Sequence, residues 1–170
     1  MSEFVFPSEP WLQEYMRLIN EDDEYAEKSD GWGDDFNGDY IFEMTDIPVD
    51  ELDLDALPDE VRANLDEYVE ETDDRGHVGY GYMALSDGGC QEARFIEDPS
   101  EVDAGFKLTA ETDEWKQLLK GELDPIQGMM SGQLDLQGDM QKMMEYTEGA
   151  VRLTEIGSEI DAVFADEEYV

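Results

Sequence analysis

Trp11, Leu12, Tyr15, Met16 and Ile19 recur at helical spacing, which predicts a first helix over 8–28 with Ser8 as N-cap and Pro10 in its first turn. Glycines at 31, 33 and 38 then lead into Asp39–Met44, a short aromatic and β-branched run that reads as a strand. Over 46–76 the period returns to helical, through Leu54, Leu57, Val61, Leu65 and Tyr68, with Pro58 near the start. Val78–Leu85 alternates as a strand, Asp87-Gly88-Gly89 supplies a hairpin turn, and Cys90–Ile96 is its partner. Ala104–Ala110 forms a further strand.

The last third carries short helices. Thr112 or Asp113 caps one holding Trp115, Leu118 and Leu119 and ending at Gly121. Asp124-Pro125 opens another with Ile126, Met129 and Met130, ending at Gly132. Leu134–Leu136 is a brief strand, and Gly138-Asp139 opens a helix with Met140, Met143 and Met144 on one face. A final helix presents Leu153, Ile156, Ile160, Val163 and Phe164. The pattern is that of a single α+β domain of 170 residues without repeats.

Charge changes the picture of where such a domain works. Asp and Glu number 47 against 10 Lys and Arg, a formal net charge of −37. The apolar fraction of 40% separates the chain from acidic disordered sequences. The carboxylates are spread along it, as in Glu21–Glu24 and Glu70–Asp74, rather than gathered in a tail. Such a surface repels itself at low ionic strength and is relieved in molar salt, which leads us to expect a halophile's cytoplasmic protein. Nucleic acid is excluded as a partner, since no basic stripe exists to meet phosphates. Met1-Ser2-Glu3 begins acidic and no long apolar run follows, so neither a leader nor an integral membrane segment is expected.

Candidate chemistry is sparse. Cys90 is the sole cysteine, with nothing basic beside it to favour a thiolate, and reads as a small buried hydrophobe. His77, the sole histidine, reads as a loop residue; a catalytic role would rest on it and scattered carboxylates alone. Gly79 and Gly81 lack the third glycine of a dinucleotide fingerprint, but glycine within a strand can mark close approach of a ligand or another backbone. Asp50, Asp53 and Asp55 lack the glycine and distal glutamate of a calcium loop. No metal or cofactor is expected.

The segment from Ala104 to Tyr146 carries a resemblance. Leu108-Thr109-Ala110 is followed by Glu114-Trp115, Leu118-Leu119, Gly121, Asp124-Pro125, Met129-Met130, Ser131-Gly132-Gln133-Leu134, Leu136 and Gly138-Asp139. This is similar to the sterol carrier protein type 2 family, in particular its stand-alone prokaryotic members. The order of elements before it agrees, except that 46–76 is a longer, helical insertion than the hairpin many members have there.

The resemblance implies a mostly antiparallel sheet of about five strands covered by helices, with an apolar tunnel between the layers. It implies non-catalytic carriage of an apolar lipid (fatty acyl, isoprenoid or sterol-like), or presentation of such an intermediate to an isoprenoid or quinone biosynthesis enzyme. The residues expected to line the tunnel are Trp115, Leu118, Leu119, Met129, Met130, Met140, Met143 and Met144. Methionine suits a pocket of adaptable shape, although helical spacing fits plain core residues equally well. The tunnel mouth is expected to be comparatively free of carboxylates.

Overall fold

A computed structural model describes residues 4–34 and 36–169; the acidic start at Met1–Glu3, which bears on the leader, lies outside them. The elements run β1 (Phe4–Phe6), α1 (Glu9–Glu21), α2 (Asp23–Lys28), β2 (Tyr40–Ile47), α3 (Asp59–Tyr68), β3 (Glu70–Glu71), β4 (His77–Ser86) and β5 (Gly89–Ile96). They continue with β6 (Phe106–Glu111), α4 (Thr112–Leu119), α5 (Pro125–Ser131), β7 (Asp135–Gln137), α6 (Met140–Glu145), α7 (Thr147–Glu159), β8 (Ala162–Phe164) and α8 (Ala165–Glu168).

The fold is α+β, built on a six-stranded sheet in the order β3-β4-β2-β6-β7, with β5 also paired to β4. β3 pairs with the start of β4 at Val78 and His77, and β5 pairs from Tyr80 to Ser86. The two short ribbons thus share one edge, and the sheet is five strands wide, near the expected five. β2 at the centre runs antiparallel to β4 and parallel to β6. The β4–β5 hairpin turns through Asp87 and Gly88, both at positive φ (49° and 78°). A side chain at Gly88 would also strike the backbone of Ala26, whose carbonyl oxygen lies 2.7 Å from the site of a Cβ.

Four expectations are corrected. The first helix is two, because the Asp22 side chain accepts from Tyr25 N–H and starts α2 just where α1 ends. The last long helix stops at Glu159; Val163 and Phe164 instead pair in parallel with Val5 and Phe6 in a separate two-stranded sheet. His77 opens strand β4 rather than lying in a loop. The cap of α4 also differs: Glu111 precedes the helix without a side-chain bond, while Thr112 Oγ1 donates 3.0 Å to Thr45 O and fastens α4 to β2.

Helices gather on one face of the sheet. Pairing places Tyr40 opposite Met83, Phe42 opposite Gly81 and Met44 opposite Gly79 on that face. Phe106 and Leu108 join them from β6. At one end the rings of Trp32 and Tyr40 each stack on Phe106, at 5.2 Å and 5.3 Å between centroids. A smaller apolar cluster of Val5, Leu57, Val61, Leu65 and Ala165 seats α3 on the β1–β8 ribbon. The other sheet face holds Glu43, 2% exposed, with Thr109 and Lys107 beside it.

Candidate functional site

A cavity of about 150 Å³ lies between the sheet and its helices. Its sheet wall is the alternate set Tyr40, Phe42 and Met44 of β2 with Gly79, Gly81 and Met83 of β4. The glycine pair explains why there is space at all. A Cβ at Gly81 would come no nearer than 3.9 Å to Phe95 and 4.0 Å to Leu12, so two strand positions that could carry side chains leave the floor bare.

The helical wall comes from six elements: Trp11, Leu12 and Tyr15 of α1, Asn64, Leu65 and Tyr68 of α3, and Trp115, Leu118 and Leu119 of α4, with Met129 of α5, Met143 of α6 and Leu153 and Thr154 of α7. Trp115 is fixed in place: its indole N–H lies 3.0 Å from Ala110 O and 3.2 Å from Glu43 O, and its ring meets Phe42 edge-on. Tyr15 donates its hydroxyl to Leu153 O at 2.5 Å. Tyr40 donates to the Met143 sulfur at 3.4 Å. Desolvation raises the pKa of both phenols, so they stand as neutral donors.

Of the residues singled out in the sequence, Trp115, Leu118, Leu119, Met129 and Met143 come together around this cavity. Met130, Met140 and Met144 lie outside it, 74%, 40% and 45% exposed. On a helix, 100° separates neighbours: Met143 is buried at 2% exposure, and Met144 one step on faces away from the core. Most of the wall was not singled out in the sequence, since it belongs chiefly to β2, β4, α1 and α3. Its signals were the apolar alternation of Tyr40, Phe42 and Met44 and the bare Gly79 and Gly81.

No charged side chain lines the cavity among the described residues. The α3 end has acids close by: a hydrogen bond with Glu67, with burial and the charges of Glu9, Glu67 and Glu97, pushes the Tyr68 phenol up to about 12. His77 is not part of the cavity; its Nε2 lies 3.5 Å from Glu71. Cys90 is buried, and burial pushes its thiol up to about 12, away from nucleophilic use. Among the described residues no group of three His, Cys, Asp or Glu is placed to hold a metal, and no helix is long and apolar enough to cross a membrane.

With this geometry in view, comparison with known proteins is specific. Residues 69–149 match the SCP-2 sterol transfer family. The SCP-2 match therefore begins at Val69, so Asn64, Leu65 and Tyr68 of the cavity wall come from chain that precedes it. The crystal structure of sterol carrier protein 2 has TM-score 0.65 at 22% identity, covering 89% of this chain and 95% of that one. A conserved hypothetical protein from Thermus thermophilus has TM-score 0.65 at 21% identity, covering 96% and 94%. The apo form of sterol carrier protein 2 from Yarrowia lipolytica has TM-score 0.50 at 13% identity, covering 88% of each. No curated protein matches the chain in sequence. At these identities the likeness shows a shared fold.

Proposed function

We propose that this protein is a non-catalytic carrier that holds an apolar lipid between its sheet and its helices. The observation that carries the reading is a cavity of about 150 Å³ whose lining, among the described residues, contains no acid and no base, in a chain where 47 of 170 residues are acidic. A site that does covalent or proton-transfer chemistry needs a nucleophile, an acid or a base in reach. This wall offers phenols held neutral, the hydroxyls of Ser8 and Thr154 given to the carbonyls of Val5 and Ala150, indoles, a satisfied amide and hydrocarbon. The match of residues 69–149 to the SCP-2 sterol transfer family supports the same reading.

Size sets a condition. Each buried methylene contributes about 0.8 kcal/mol, so about ten are needed for micromolar affinity even before the cost of association. A cavity near 150 Å³ is of the order that admits one benzene-sized ring. A carried lipid must therefore part the walls or run out past half-exposed lining residues such as Leu119, Met129 and Val69. Met44, Met83, Met129 and Met143 supply the compliance, since an unbranched thioether repacks at low cost.

The test is uptake of an apolar fluorophore from water at molar salt. Saturable binding, relieved by an added long-chain lipid, is expected; a protein that takes up neither probe nor lipid is not a carrier. The exposed Met130, Met140 and Met144 favour a second step, in which the lipid is handed to a protein partner such as an enzyme of isoprenoid or quinone synthesis. A pull-down at high salt that returns no such partner favours simple carriage.

A further inference from the structure

The polar groups around the cavity do not balance. Tyr15 has a carbonyl acceptor, Asn64 is engaged on both sides by Glu9, and the Trp115 N–H has two carbonyls. Tyr40 is different. Its hydroxyl is 3.4 Å from the Met143 sulfur, a weak acceptor, although Tyr40 is only 6% exposed. In the same wall, the buried Trp11 indole N–H has no acceptor among the described residues. Among the described residues the enclosure thus holds two donors without a strong acceptor, and no charge to set against a ligand's charge.

Cations are committed elsewhere. Each of the ten Lys and Arg side chains stands within 3.9 Å of a carboxylate. None of them lines the cavity, and Glu9, Glu67 and Glu97 stand around Tyr68 at its α3 end. A carboxylate or phosphate drawn inside would lose its water and gain neutral donors only, with no cation to set against its charge. Molar salt screens the outer repulsion but does not repair that loss.

We infer that the cavity selects an uncharged lipid bearing an oxygen acceptor (an ester, ketone, ether or hydroxyl), which takes the Tyr40 hydroxyl in place of the Met143 sulfur. This rests on the lipid-carrier reading and narrows it: free fatty acids, acyl thioesters of phosphorylated carriers and prenyl diphosphates are poor ligands. Such a head group reaches Tyr40 at the centre of the sheet, with its hydrocarbon running along the bare floor at Gly81 and Gly79.

The experiment is displacement of a bound apolar fluorophore by methyl laurate, laurate and dodecane, above neutral pH and at constant molar salt. Methyl laurate should bind at least about tenfold more tightly than laurate. Tyr40→Phe keeps the ring that stacks on Phe42 and Phe106. It should weaken methyl laurate by about fivefold, one net hydrogen bond, and leave dodecane unchanged, which also shows that the variant is folded. Laurate binding as tightly as its ester overturns the inference, as does a Tyr40→Phe loss of equal size for dodecane. Displacement by none of the three overturns the carrier reading beneath it.

Discussion

The backbone N–H of Glu9 donates to Asn64 Oδ1 at 2.9 Å, and Asn64 Nδ2 returns a bond to Glu9 Oε1 at 3.2 Å. Glu9 is the first residue of α1, where a backbone donor has no acceptor within its own helix. A residue 55 positions away supplies one, and in doing so ties α3 to α1 across one end of the cavity.

Asn64→Ala should therefore cost about 1–2 kcal/mol in equilibrium unfolding, because the half-buried donor of Glu9 loses its acceptor. It should also raise hydrogen exchange in α3 selectively. Unchanged stability together with unchanged α3 exchange would show that the pair does not hold this end closed.

Glu43 gives a pH prediction with a definite sign. Burial pushes its carboxyl pKa up, but the hydrogen bond from Thr109 (2.9 Å), the ion pair with Arg75 (3.0 Å) and the charge of Lys107 outweigh burial and hold it below the usual carboxylate range. A depressed folded pKa gives stability that is complete above the unfolded value, about 4.3, and is lost as pH falls through the folded one. Glu43→Gln should be less stable by about 1–3 kcal/mol at neutral pH, and the two proteins should converge as pH falls below that value. Denaturation series at several pH values measure this. A difference that is constant across them contradicts it.

Much of the fold was legible because long elements repeat their signal. The β4–β5 hairpin announced itself through alternation on both sides of Asp87-Gly88. α4 placed Trp115, Leu118 and Leu119 on the cavity because its face is wide and strongly apolar. The pairing of Phe4–Phe6 with Ala162–Phe164 was not legible, since three-residue strands joined across almost the whole chain leave no local period. In α5 and α6, with seven and six residues, two turns are too few to fix a face, and Met130, Met140 and Met144 point outward. For β2 the alternation separated Tyr40, Phe42 and Met44 from Ile41 and Glu43, yet which set faces the helices is a tertiary fact.

Salt should stabilise this protein. With a formal net charge of −37, compaction brings like charges together. Raising the salt from about 0.1 M to about 1 M shortens the Debye length from about 10 Å to about 3 Å. The thermal midpoint should climb steadily over that range. A midpoint that is flat or falls with salt would place the acids in a role other than a solvated surface.

The central claim is that the space above Gly81 holds the lipid. Gly81→Leu puts a side chain where a Cβ meets only ordinary contacts, at 3.9 Å from Phe95 and 4.0 Å from Leu12, so the sheet survives while the cavity fills. The direct measurement is organic extraction and mass spectrometry of both proteins purified side by side at molar salt. A co-purifying uncharged lipid is expected in the wild type, with at least about a tenfold smaller amount, on the order of a 1.4 kcal/mol loss, in Gly81→Leu at matched folding. Equal lipid in the two proteins, or none in either, would contradict it.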